Sequence, residues 1–184
     1  ENLVNECDIK VSNHGTTGYE LIVGGVIGIV GDGDEYEYEV VDLVNNGDVT
    51  VNATANGLVG GVIGYMTRAS EKDGIFENCV NNGDVTVVAQ IESSIGGIVG
   101  QIRHYELLEC ENNGTISVGE GYASTVNVNI GGITGITYGS KVNGEVYITS
   151  CTNNGEVKVA HNCIPMIGGL VGYTRQTVII EDCL

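Results

Sequence analysis

The side chains of this 184-residue chain that could do chemistry fall into four groups: six cysteines, three histidines, one dense acidic run and a set of glycine-rich stretches. Thiols can pair, ligate soft metals or act as nucleophiles, but no CxxC or CxxH spacing occurs, so a zinc-type site has no sequence support. His14, His104 and His161 are scattered, and neither HExxH nor Gly-x-Ser-x-Gly is present. They read as surface or loop residues. The run Asp32-Gly33-Asp34-Glu35-Tyr36-Glu37-Tyr38-Glu39 is rich enough in oxygen to hold Ca²⁺, yet it has neither the EF-hand order nor a nine-residue repeat. Its alternation of Glu35, Glu37 and Glu39 with Tyr36 and Tyr38 suits an extended edge whose charge discourages strand-to-strand association. Glycine-rich stretches cradle phosphate only between a strand and a helix N-terminus, and none here opens a helix-forming run. No catalytic, cofactor-binding or metal-ligating residue is assigned, and calcium at residues 32–39 is the one metal reading left open.

The glycines instead mark a repeat. Gly24-Gly25-Val26-Ile27-Gly28 returns at 60–64, 96–100, 131–135 and 168–172, so successive first glycines are 36, 36, 35 and 37 residues apart. A fixed period of this size marks repeat architecture, with residues 1–184 forming one repeat domain. The unit reads apolar-x-x-Cys-x-Asn-Asn-Gly-acidic-Val-x-Val, a variable segment, then the glycine stretch. Three short strands are expected from it: one ending at the cysteine, one after the Asn-Asn-Gly turn (Val49-Thr50-Val51 and its copies, alternating with period two), and the glycine stretch itself. Asn and Gly tolerate positive φ, which makes Asn45-Asn46-Gly47 and its copies at 81, 112 and 153 the expected sharp corner. The first copy is read as truncated, with Cys7 opening the cysteine series and the turn missing.

Cys79, Cys110, Cys151 and Cys183 hold one place in the repeat, and Leu43 takes that place in an earlier copy. A residue that leucine replaces behaves as a small buried hydrophobe, so buried free thiols stacked in the core are expected in preference to disulfides. Two architectures use an Asn-Gly corner at this period. A five-bladed propeller would make it a hairpin turn between antiparallel strands, whereas a parallel β-solenoid of about five coils, like a right-handed β-helix, would stack it from rung to rung. The solenoid is preferred because side-chain identity recurs, Cys on Cys and Asn on Asn, beyond similarity of class. The longer spacing from Asn112 to Gly131, 19 residues against 15 elsewhere, would then bulge from one corner.

Against 24 Asp and Glu stand 7 Lys and Arg, a net charge of −17 that would repel phosphate backbones and anionic lipid. Nucleic acid is an unfavoured partner, and no stretch approaches the ~20 apolar residues of a membrane span. Arg68, Arg103 and Arg175 follow their glycine stretches at nearly equal distances and could line one side, covering apolar edges and offsetting the negative field. Tyr65 and Tyr173 share the place just after the last glycine and could contribute to a carbohydrate-stacking surface, although Ile29, Gln101 and Ile136 interrupt it.

Gly-Leu-Val-Gly at 169–172, with Gly-Ile-Val-Gly at 97–100 and Gly-Val-Ile-Gly at 61–64, resembles the GLUG motif of bacterial surface and secreted proteins, including regions of immunoglobulin A peptidases. The departures are Thr134 in the fourth copy and the first copy's turn. The resemblance covers nearly the whole chain and implies an exported, non-catalytic β-solenoid beside other domains of a cell-surface protein; the leading reading is a structural or adhesive module, extracellular or at the cell surface, with a host protein or glycan as the partner to test and no cofactor. The alternative is a polysaccharide-active β-helix enzyme, a lyase or hydrolase, which would need two or three carboxylates facing one groove. Ice binding would need a flat threonine array, which Thr50 and Thr86 begin and Ser117 and Lys158 end. The chain is expected to be one portion of a larger protein, with the segment Asn13–Tyr19 covering the N-terminal rung.

Overall fold

Each coil of the chain makes five short strands, and each strand pairs in parallel with the equivalent strand of the coils before and after it. The structure, a computed structural model, describes residues 2–13, 20–31, 39–53, 56–67, 74–89, 92–119, 127–139, 144–160 and 164–184. The first coil comprises β1 (Leu3–Asn5), β2 (Ile9–Asn13), β3 (Glu20–Gly24), β4 (Ile27–Val30) and β5 (Glu39–Val41). The second comprises β6 (Leu43–Asn45), β7 (Val49–Ala53), β8 (Asn56–Gly60), β9 (Ile63–Met66) and β10 (Gly74–Glu77). Three further coils follow, so the described residues build five parallel five-stranded sheets, here called A to E after the strand each takes from the coil. The fold is an all-β parallel solenoid. Antiparallel pairing, which a propeller blade requires, is absent among the described strands. Val51 lies in register with Val87 on the next rung.

The strands outnumber the three expected because two features read as strand are corners. The glycine stretch is not a strand: sheet C ends on its first glycine and sheet D begins three residues later. A Cβ on the second glycine of the first four stretches would meet the next coil's backbone and an asparagine side chain, as at Gly61 against the Gly97 carbonyl and Asn81. Only glycine fits such an approach. The second hidden corner lies just before the cysteine, where Asn2, Asp42, Asn78, Glu109, Ser150 and Asp182 all adopt left-handed φ between 49° and 58°. The Asn-Asn-Gly turns, expected to hold positive φ, do not. Glycine is needed there because a Cβ at Gly83 would strike the Gly47 carbonyl of the coil beneath, and the same contact recurs at Gly114 and Gly155.

The first copy is also corrected. Leu3, Val4 and Asn5 pair with Leu43, Val44 and Asn45, so Asn5-Glu6-Cys7 is the first coil's turn, with Cys7 in the glycine's place. The turn is present, and Cys7 is exposed outside the cysteine column. Val4, which stands three residues before Cys7 in the unit's apolar place, is 55% exposed. Val40, Phe76, Leu107, Ile148 and Ile180 do form the apolar row before the corner.

Two hydrophobic clusters fill the coil. Sheets B and C enclose one, built on Val49, Val51, Val85, Val87, Val59, Ile95 and Ile130. Sheets D, E and A enclose the other, which includes Ile63, Ile98, Phe76, Leu107 and the cysteines. Between them, where the second glycine faces the turn, runs a buried ladder of asparagines. Each Nδ2 donates to the Oδ1 on the next rung: Asn5 to Asn45 (2.8 Å), Asn45 to Asn81 (2.9 Å), Asn81 to Asn112 (2.9 Å) and Asn112 to Asn153 (2.8 Å). The same nitrogen also donates to the turn carbonyl two residues on, at 2.7 Å for Asn45 to Gly47 and Asn81 to Gly83. A second ladder on the outer asparagines runs the opposite way, from Asn154 through Asn113, Asn82 and Asn46 to the Glu6 carboxylate. Outside the turn, the Asp48 and Asp84 amides are held by the carboxylates of Asp8 and Asp48 on the preceding rung.

The two ladders should differ sharply in worth. Asn81→Ala takes from the buried Asn45 Nδ2 its acceptor on the next rung and from the buried Asn112 Oδ1 its ladder donor, and should cost about 3 kcal/mol, whereas the exposed Asn82→Ala should cost under about 1 kcal/mol; urea denaturation followed by circular dichroism separates them, and equal losses would contradict the packing. Glycine positions give a second test. Gly97→Ala must displace the Gly132 carbonyl and Asn112, while a Cβ at Gly169 meets nothing within 4 Å in this chain. The first variant should fail to fold at 37 °C or melt many degrees lower, and Gly169→Ala should melt like the parent.

Candidate functional site

Where sheet C turns into sheet D at the glycine corner, the outer faces of the two sheets stand against each other and form a groove of about 350 Å³ along the solenoid. The third glycine of each stretch brings the walls together: a Cβ at Gly100 would lie 2.5 Å from the Val59 amide nitrogen, and one at Gly172 equally close to that of Ile130. Rung-to-rung register then lays the lining side chains in rows. On the sheet C wall, Glu20, Asn56, Glu92, Asn127 and Ile164 form the outer row and Ile22, Leu58, Ser94, Asn129 and Met166 the inner one. The sheet D wall carries Ile29, Tyr65, Gln101, Ile136 and Tyr173, with Arg103, Tyr138 and Arg175 in the row beyond.

The chemistry of these rows changes along the groove. Ile22 and Leu58 are apolar, but Ser94 and Asn129 succeed them on the third and fourth coils, and Gln101 faces them from sheet D. The Asn129 amide nitrogen donates to Ser94 Oγ at 3.1 Å, while its Oδ1 is buried without a hydrogen-bond partner. A buried acceptor left in that state is rare in a folded protein and marks a place where a donor fits. Asn127 reaches Glu92 at 3.5 Å. Tyr173 is 38% exposed at the groove's end, and the Tyr138 ring is held between two guanidinium groups, Arg103 at 4.8 Å and Arg175 at 5.1 Å from its centroid. Stacking of this kind keeps both cations on the tyrosine faces and fixes the ring.

The expectations from sequence meet this geometry unevenly. Tyr65 and Tyr173 do share a row, with Gln101 and Ile136 between them. Arg103 and Arg175 share a position one rung either side of Tyr138; Arg68, His14, His161, Cys163 and residues 32–38 of the acidic run lie outside the described residues. His104, read as a surface or loop residue, is buried at a corner with φ 62°, where it alone links sheets D and E of its coil. Ser94 and Asn129 were not singled out; the signal was a polar break in an otherwise apolar row. Thr134 is buried and satisfies its hydroxyl on the Ile136 carbonyl at 3.3 Å.

The cysteine column is the other cluster with chemical potential. Cys79, Cys110 and Cys151 are buried free thiols, with Cys183 half-buried at the end of the stack. Each thiol donates to the carbonyl two residues earlier, across the left-handed corner: Cys79 to Glu77 (3.2 Å), Cys110 to Leu108 (3.2 Å), Cys151 to Thr149 (3.4 Å) and Cys183 to Glu181 (3.2 Å). The column is thus more than a set of small hydrophobes, since the sulfur also closes the corner. Burial, reinforced by the flanking thiols of Cys151 and Cys79, holds the Cys110 thiol well above its ordinary pKa. A thiol kept protonated and out of water is a poor nucleophile. Among the described residues, no group of three or more His, Cys, Asp or Glu side chains could hold a metal ion, and no helix is long and apolar enough to cross a membrane.

Comparison with family models, curated proteins and solved structures finds no match to this chain. The thiols give a direct check on the packing. Brief iodoacetamide treatment of the native protein should label Cys7 and leave Cys79, Cys110 and Cys151 unmodified until denaturant is added, as read by peptide mass spectrometry. Native labelling of Cys110 at the rate of Cys7 would show that the stack is open to solvent.

Proposed function

We propose that the chain is a non-catalytic structural and adhesive module of an exported bacterial surface protein, of the GLUG-repeat type. The observation that carries this reading is the assignment of the recurring residues. The asparagines, second glycines and cysteines that define the repeat hold one coil on the next, and none of them faces the groove. What recurs therefore builds a rod, and a rod with an acidic, soluble surface suits display away from a cell.

The groove itself favours binding over bond cleavage. Glu20 and Glu92 stand two rungs apart in one row, roughly 10 Å along a single wall at the usual strand spacing. Glycosidic hydrolysis sets its two carboxyl groups on opposite sides of the scissile bond. The wall opposite offers Gln101, Tyr138, Tyr173 and Arg175 to the groove.

Immobilised protein should retain labelled polysaccharide or mucin-type glycoprotein and release it intact. Size-exclusion chromatography of the eluate, with a reducing-end assay and absorbance at the wavelength of unsaturated uronates, reads the outcome. Progressive appearance of shorter chains would establish the polysaccharide-active alternative in its place.

A further inference from the structure

We infer that the groove between sheets C and D binds a neutral, extended oligosaccharide, seated over the third and fourth coils. This deepens the module reading above and rests on it for the absence of cleavage. Three observations converge. The first is that the repeat relaxes here: the ladder positions carry the same residue coil after coil, while the inner row of the groove changes from Ile22 and Leu58 to Ser94 and Asn129. A polar pair there replaces the apolar side chains of the first two coils.

The second is the unpaired Asn129 Oδ1, a buried acceptor whose amide nitrogen is already committed to Ser94. A ligand hydroxyl is the donor that such a site takes, and Gln101 across the groove supplies a further amide with both donor and acceptor character. The third is Tyr173, partly exposed at the groove's end, with an aromatic face for the C–H side of a pyranose ring.

Charge and shape narrow the class. A net charge of −17, with Glu20 and Glu92 on the groove's rim, repels uronates and sulfated sugars, and Arg175 is already stacked on Tyr138. The groove runs along the solenoid axis with a rise of about 4.8 Å per rung. That rise is close to the advance per ring of an extended β-1,4-linked chain, so successive sugars lie against successive coils, with alternate rings turned over.

The test is calorimetric titration of the whole chain with cellohexaose, xylohexaose and β-1,4-mannohexaose. At least one should bind, and Asn129→Leu and Tyr173→Ala should each weaken it by about tenfold or more. Lys158→Ala, on the outer face of sheet B, should bind like the parent. Melting curves check that the variants fold, and the exposed Tyr173→Ala keeps the test decisive if Asn129→Leu does not. Loss in a folded groove variant with Lys158→Ala unaffected supports the site. Absence of binding by all three sugars, binding unchanged in both groove variants, or an equal loss in Lys158→Ala overturns it. Chromatography of the same mixtures keeps the two readings apart, since cleavage of a bound sugar defeats the non-catalytic module while leaving the site in place.

Discussion

Everything in this coil depends on one contact, the buried asparagine lying against the second glycine of the glycine stretch. The side chain stands between two apolar clusters, where an unpaired amide would be costly, and it is satisfied only because an identical side chain waits on the neighbouring rung. Its bulk in turn requires a glycine opposite, since a Cβ at Gly61 or Gly97 would occupy the same space. Asparagine and glycine therefore recur together, although 15 to 21 residues separate the contacting pairs along the chain. The contact also pinches the coil, so that sheets B and C close one core and sheets D, E and A another. The groove on the far side of the glycine corner is the outer surface of that pinch.

Much of this was legible in the sequence. The period, the parallel stacking and the buried valines of sheet B followed from residue identity and period-two alternation, and Val51 does pair with Val87. The corners were less legible because two different constraints favour the same residue. Glycine suggests positive φ at Asn-Asn-Gly and a strand at Gly-Gly, yet in both places it is there because a neighbouring coil's backbone leaves no room for a Cβ. The true left-handed corner is held by Asn2, Asp42, Asn78, Glu109, Ser150 and Asp182, none of them glycine. Their common feature is a polar side chain before an apolar one, which reads in sequence as ordinary strand alternation. Two left-handed asparagines and two aspartates in that column were the available clue.

Cys7 shows how a repeat misleads at its edge. Matching it to the other cysteines aligned the first copy four residues out of register and made its turn disappear. The pairing of Asn5 with Asn45 restores it. A turn glycine is required where a coil lies beneath, as at Gly83 over Gly47. For the groove, the obstacle was different. Its walls come from rows that vary, and variation within a repeat is silent until the register is known; only then do Ser94 and Asn129 become neighbours facing Gln101.

The direction of the backbone hydrogen bonds has a mechanical meaning. In all five sheets they join one coil to the next, so they point along the rod. Tension applied end to end loads the five sheets of a junction in parallel and the successive junctions in series. A pulled array is then as strong as its weakest junction, and it gives way one coil at a time, each step releasing the contour length of a single turn. Force across the rod acts on covalent backbone within each coil instead. A protein built from such coils would meet a sideways load with covalent backbone and absorb stretch from its tip in discrete lengths.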